Sequence, residues 1–240
     1  MVYNYSFADS IDKTWSNAEE LFPGVWVYRD VFTKDLDLIN RLDKIGMSAE
    51  EENVDSFKWT FGFVGYSDRR PDYRDCHDIK VGEIKNPTNK TELLVANLWN
   101  DLKKAQINPV TDYCTKHSIK MTYWEVMNCI RYIPGQHFQE HADDGFSYSA
   151  TVSLVGYPND DYTGGELSFP KLGLTIKPKA GDLYIFPSTY IFSHIAQPVQ
   201  TGTKYSVVTM LDYNDHAHNP EFMQMRQRWV QKEQAQGQNV

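Results

Sequence analysis

From Tyr123 onward the hydrophobic pattern of this chain loses its helical period and becomes short and alternating. The segments Tyr123–Tyr132, Ser149–Val155, Gly165–Phe169, Leu174–Lys177, Asp182–Phe186, Tyr190–His194 and Tyr205–Leu211 are separated by Gly, Pro and Asn turns. Alternation with a period of two puts one face of each strand in a core and the other outside it. Seven such strands in succession leave too many open edges for a single flat sheet, and a double-sheet jelly roll disposes of them by doubling back.

The first half reads differently. Gly24–Tyr28 and Trp59–Phe63 are predicted strands. Leu38, Leu42 and Ile45 recur at helical spacing behind Thr33, a candidate cap. Asn89 opens a second predicted helix, with Glu92 three residues on and a stripe of Leu94, Val95, Leu98, Trp99 and Leu102. A third, short helix is expected after Pro109, through Tyr113 and His117. Residues 47–80 are rich in charge and aromatics and, apart from Trp59–Phe63, read as a long loop. Residues 1–20 are uneven in pattern and are expected to wrap the surface. Phe222, Met225 and Trp229 mark a last helix, expected to dock by one face. The fold class is therefore α+β: N-terminal supporting helices, a jelly-roll core and a C-terminal helix. The length suits a single domain, 1–240, divided into 1–118, 119–213 and 214–240.

The formal net charge of -8 disfavours nucleic-acid binding through a general basic surface. Three cysteines, Cys76, Cys114 and Cys129, are an odd number at wide spacing, which supports neither a disulfide framework nor a zinc ribbon and points to a reducing compartment. No basic and apolar leader opens the sequence, and no apolar run is long enough to span a bilayer. A soluble, cytoplasmic chain is expected, with no membrane partner; oligomeric state is not legible.

The chemistry concentrates in Arg131–Asp143. In a strand, His141 and Asp143 project from one face, and one imidazole with one carboxylate is half of a metal site. His194 supplies the second imidazole. Two histidines and a carboxylate form the facial triad of non-haem Fe(II) oxygenases, which leaves three octahedral positions for exogenous ligands. Lys204 follows ten residues after His194, and a buried cation there would pair with the far carboxylate of a dicarboxylate ligand. The other histidines fit less well: His137 reads as a group behind the ligands or at the surface, His117 as a helix-end residue, and His216 and His218 lie in a polar turn before Pro220.

These residues do not stand alone. Tyr132-Ile133-Pro134-Gly135-Gln136 leads into His141-x-Asp143. Gly164-Gly165-Glu166-Leu167-Ser168-Phe169-Pro170 follows, then Pro178-Lys179-Ala180-Gly181-Asp182-Leu183-Tyr184-Ile185-Phe186-Pro187, then His194 and Lys204. In order and spacing this series resembles the 2-oxoglutarate and Fe(II)-dependent dioxygenases, and within them the prolyl 4-hydroxylase-like branch.

The resemblance implies that His141, Asp143 and His194 bind Fe(II), and that Lys204 holds the distal carboxylate of 2-oxoglutarate. It implies that Tyr132 donates its hydroxyl to the same carboxylate, and Ser206, two residues after Lys204 on one strand face, is placed to add a hydrogen bond. The glycines and prolines of the series read as turn residues. The implied reaction consumes 2-oxoglutarate and O2, yields succinate and CO2, and hydroxylates a C–H bond, with L-ascorbate as a possible reductant. A carboxylate at Asp143 fits hydroxylation, whereas halogenating relatives carry a small residue there. No catalytic residue beyond the metal site is expected. A prolyl residue of a peptide or protein leads as substrate. The same chemistry on a free amino acid or other small molecule, and a non-catalytic jelly-roll binding module, stay open. Arg69, Arg70, Tyr73 and Arg74, in the 63–78 loop, are candidates for a substrate entrance.

Overall fold

The computed structural model describes residues 15–64, 68–145, 148–213 and 215–235. Most of the predicted surface wrap at 1–20 and the tip of the charged loop at Tyr66 and Ser67 lie outside them. Two antiparallel sheets face each other. The larger has nine strands, and its path runs Ala18–Phe22, Val25–Tyr28, Leu183–Pro187, Val152–Gly156, Lys204–Asp212, Met127–Tyr132, His77–Val81, Thr60–Phe61, with Tyr123–Trp124 pairing on Lys204–Asp212. The smaller has five, in the order Leu174–Ile176, Leu167–Phe169, His194–Ala196, His137–His141, Arg74–Asp75. This is the expected jelly roll.

The period of two divides the large sheet's side chains between two cores. Tyr28, Val152, Leu154, Leu183, Ile185, Val207 and Leu211 face the helices, whereas Val25, Val27, Val155, Tyr184 and Phe186 face the small sheet. Helix α1, Leu38–Glu51, buries Leu38, Leu42 and Ile45 on that outer core, and α2, Lys90–Lys116, buries Val95, Leu98, Trp99 and Leu102 there. Fully burying one such side chain stabilises by about 1.5–3 kcal/mol, so the helices hold the sheet in place more than they hold themselves. Among the described residues no helix is long and apolar enough to cross a membrane. The three cysteines are free and buried.

Several boundaries differ from the sequence reading, each for a local reason. Thr33 caps no α-helix: it precedes a 3-10 turn, Lys34–Leu36, without a side-chain hydrogen bond, and α1 starts after Asp37, whose φ is 49°. Asn89 does cap α2, its Oδ1 accepting from the Glu92 N–H at 2.8 Å, while Glu92 accepts from the Thr88 N–H at 2.6 Å. The expected third helix is the continuation of α2 through Pro109. An interior proline costs roughly 3 kcal/mol. The far half offsets that cost by burying Val110 and Tyr113, and through bonds from Tyr28 Oη to Asp112 at 2.9 Å and from Tyr113 Oη to the Gly24 carbonyl at 3.0 Å.

Within 47–80 the chain is more regular than a loop: α1 runs to Glu51, Asp55–Phe57 is a 3-10 turn, and His77–Val81 is an internal strand. Its charged letters hid it, because Asp78 is buried only by virtue of its ion pair with Arg74 at 3.0 Å. The strand expected at Trp59–Phe63 shrinks to Thr60–Phe61. Tyr190–Phe192 is a 3-10 turn and the strand begins at His194, since Tyr190 and Ile191 face outward. Val199–Thr201, paired with Thr163–Gly164, was also missed. The final helix α3, Pro220–Ala235, exists, but Phe222, Met225 and Trp229 are 43%, 59% and 47% exposed; it touches the body through Val230 and through Arg226, which donates to the Gly145 carbonyl.

Candidate metal centre

His137–His141 and His194–Ala196 are neighbouring strands, and their register sets His194 directly across from His141. That pairing brings the two rings to a centroid separation of 4.4 Å. Asp143 lies not in the strand but in the bend after it, and its two oxygens stand 3.7 Å from His141 Nε2 and 3.9 Å from His194 Nε2. One donor atom from each of the three lies within 4.8 Å of the others. Cis ligands about 2.1 Å from a common ion would be about 3 Å apart, so small side-chain rotations close the site.

Both imidazoles are aimed. His141 Nδ1 donates to the Gln139 carbonyl at 2.8 Å and His194 Nδ1 to the Phe192 carbonyl at 3.2 Å, which leaves both Nε2 lone pairs toward Asp143. Burial, together with the neighbouring His194, lowers the His141 pKa against the opposing pull of Asp143, which favours the neutral ring, the form that ligates a metal. Asp143 is steadied from behind. Ser153 Oγ donates to its Oδ2 at 2.5 Å and is itself 2.7 Å from Ser188 Oγ. Phe138 stacks on His141 at 3.5 Å and Phe186 meets His194 edge-on at 5.0 Å, which excludes water from both rings.

The cavity that His141, Asp143 and His194 line is also lined by Lys204, Tyr132, Ser206, Asn128 and Tyr157. Lys204 is 1% exposed, and its ammonium donates to the Gly165 carbonyl at 2.8 Å and lies over the Tyr132 and Tyr157 rings. No carboxylate among the described residues lies within ion-pair distance of it. Burial, with Lys177 nearby and Glu166 opposing, pulls its pKa down to about 7. The ladder explains the arrangement: Lys204 is registered opposite Tyr132, and Ser206 opposite Ile130, on adjacent strands. Gly165 approaches this closely because it has no side chain; a Cβ there would meet Lys204 and Tyr162 at 3.0 Å, and φ is +66°.

The candidate entrance residues divide. Tyr73 and Arg74 line an outer cavity beside His141 and Asp143, and Arg74 reaches the inner one as well. Arg69 instead pairs with Asp75 at 2.8 Å, and the exposed Arg70 faces Asp72 at 3.6 Å and lies over the Tyr73 ring; neither lines these cavities. His137 sits against the carbonyls of Gly135 and Asp72, His117 ends α2, and His218 bonds Asp212 at 3.1 Å while stacking on Tyr123. The His216 side chain lies outside the described residues. Sequence reasoning missed Ser153, Asn128, Tyr157 and Glu125. Strand parity with Ile130 and Tyr132 was a usable signal for Asn128; nothing local marked the others.

Fold and donor set together define a double-stranded β-helix protein with a two-histidine, one-carboxylate cluster and a buried lysine lining the same cavity. Residues 127–211 match the 2OG-Fe(II) oxygenase superfamily, and the chain's resemblance is to the prolyl 4-hydroxylase-like branch of that superfamily. A curated relative from Acanthamoeba polyphaga mimivirus, named "Putative prolyl 4-hydroxylase", is 23% identical over 144 residues. That alignment spans 51% of this chain and 60% of the relative. Among solved structures, a Trichoplax adhaerens prolyl hydroxylase in complex with a hypoxia inducible factor oxygen degradation domain peptide fragment aligns with a TM-score of 0.60 at 14% identity. It covers 79% of this chain and 83% of that one. A Pseudomonas putida prolyl-4-hydroxylase aligns with a TM-score of 0.58 at 16% identity, covering 79% and 92%. At these identities the structures establish a shared fold.

Proposed function

We propose that this protein is a dioxygenase that holds Fe(II) through His141, Asp143 and His194 and 2-oxoglutarate through Lys204, Tyr132 and Ser206. Its reaction is the hydroxylation of a C–H bond, in a prolyl residue of a peptide or protein. The observation that carries this reading is one cavity lined both by three metal-type donors and by a buried lysine that, among the described residues, has no carboxylate within ion-pair distance. Bound there, iron and 2-oxoglutarate supply the oxidising chemistry, with O2 consumed and succinate and CO2 released as the C–H bond becomes C–OH.

The chain's own residues supply the rest. His141 and His194 would donate nitrogen to the metal and the Asp143 carboxylate would offset its charge, while Ser153 fixes the Asp143 rotamer. Lys204 gives a dicarboxylate its counter-charge in a site where an unpaired carboxylate would cost several kcal/mol. Phe138, Ile130, Val155 and Leu167 give the cavity apolar walls that disfavour water. The peptide preference draws support from the Trichoplax protein of similar fold, which was solved with a peptide.

The test is succinate formation by the purified protein with Fe(II), 2-oxoglutarate, O2 and L-ascorbate, with and without a prolyl peptide or free proline. Stimulation by the peptide is the expected result, with loss of at least 100-fold in Asp143→Ala. No succinate under any of these conditions, or full activity in Asp143→Ala, would overturn the assignment.

A further inference from the structure

The outer cavity, about 290 Å³, is walled by apolar groups such as Phe63, Phe138 and Met210 and opens onto His141 and Asp143. Its two charged side chains besides Asp143 are not equivalent. Arg74 is held by both terminal nitrogens, Nη1 donating to the Phe63 carbonyl at 2.6 Å and Nη2 to Asp78 at 3.0 Å, with Nε alone left without a well-formed bond. Glu125 is not held in this way. Its backbone is locked to the large sheet, the N–H donating to the Met210 carbonyl at 3.0 Å and the carbonyl accepting from Thr209 Oγ1 at 2.9 Å. Its carboxyl group is left over. Oε2 is buried and has no well-formed hydrogen bond; the Tyr148 hydroxyl is the neighbour that acts on the carboxyl group, but it too makes no well-aligned bond.

Among the described residues no lysine or arginine stands within ion-pair distance of Glu125, and Lys80 acts on it only from farther away. A desolvated carboxyl served by no more than a poorly aligned phenol is costly, and the cost is recovered when a charged donor arrives. Burial raises the Glu125 pKa to about 7, so near neutrality a cation arriving beside it would draw it into the anionic form. Charge adds a second argument: Arg74 is neutralised by Asp78, which leaves the substrate side of this cavity acidic.

We propose that Glu125 recognises a cationic nitrogen on the substrate, an ammonium or guanidinium placed near the carbon that is hydroxylated. It thereby acts as the specificity determinant of the site; the inference rests on the function proposed above. Two sources carry that chemistry: a lysine or arginine side chain next to the target residue of a peptide, and the free ammonium of an amino acid or chain terminus.

Calorimetric titration of the protein loaded with Mn(II) and 2-oxoglutarate, without oxygen, separates them. One pair of probes is a prolyl peptide with an adjacent lysine and the same peptide with norleucine in its place. The other is free proline and N-acetylproline. The expected result is that the cationic member of one pair binds at least tenfold more tightly than its neutral partner, and that pair identifies the source. In Glu125→Gln the difference falls below twofold, and Glu125→Asp retains part of it. Binding within twofold in both pairs, discrimination that survives Glu125→Gln, or no binding by any cationic probe overturns the proposal. The wild-type pairs decide even if a variant does not fold. Succinate release without substrate reads the function separately: turnover without discrimination removes only Glu125's role, and discrimination without turnover removes only the oxygenase assignment.

Discussion

The large sheet and the small sheet contribute to the candidate site in different ways. In the large sheet the strand Lys204–Asp212 is paired along its whole length, its first five residues with Met127–Tyr132 and Val207–Leu211 with Val152–Gly156, and is backed on its outer face by the core that α1 and α2 complete. Its groups toward the cavity, Lys204, Ser206 and Tyr132, take their positions from a long ladder. The small sheet has strands of two to five residues, and His137–His141 is flanked on its outer side only by Arg74–Asp75. Its donors stand at strand ends and in a bend, and are aimed by single hydrogen bonds. Stability is concentrated in one sheet and metal placement in the other, so substitutions in the two should be separable.

The largest expected effect tests that separation directly. Leu98 is fully buried where α2 meets the large sheet, and Leu98→Ala should cost about 2–5 kcal/mol of stability in denaturant unfolding. Mn(II) affinity of the folded protein should stay within twofold; a parallel loss of affinity would break the comparison. Next comes Lys204→Met. It should weaken 2-oxoglutarate binding about 100-fold by leaving a carboxylate unpaired, while metal affinity holds and the unliganded protein becomes no less stable.

The lysine also sharpens the comparison through pH. Its pKa is lowered to about 7 in the fold, whereas the unfolded chain's lysine titrates near about 10.4. Between those values the unfolded state binds more protons, so its contribution to stability is full above the unfolded pKa and is lost as pH falls toward 7. A dicarboxylate needs the charged form. Above pH 7 its binding should take up a proton and weaken about tenfold per pH unit, a dependence that calorimetry in buffers of different ionisation enthalpy reads and that Lys204→Met abolishes. The smallest effect is at Ser153. Ser153→Ala should lower metal affinity about tenfold by freeing Asp143, and a circular-dichroism melt should show little change. A larger loss of stability than of affinity would place Ser153 with the core instead.

Parts of this were legible in the letters. His141-x-Asp143, His194 and Lys204 could be singled out because their residue types and spacing are visible along the chain, although Asp143 lies in a bend and not on the strand that parity assumes. Ser206 is legible from its parity with Lys204, and Tyr132 only from the family resemblance. Pro109 misled, because the tertiary bonds of Tyr28 and Tyr113 outweigh a local helix breaker. The strand His77–Val81 was hidden by Asp78, whose burial depends on a partner four residues earlier. Arg69, Arg70 and Arg74 are indistinguishable as letters, and only the fold turns Arg74 inward while the other two pair with Asp75 and Asp72.

The sequence by itself determined the elements and the inventory of donors, because side-chain period and turn chemistry are local properties of the chain. The tertiary structure decided which charges are left without partners. Among the described residues Lys204 meets no carboxylate and Glu125 no cation because of what distant strands bring near them, and an unmet charge in a low-dielectric cavity is what selects a ligand.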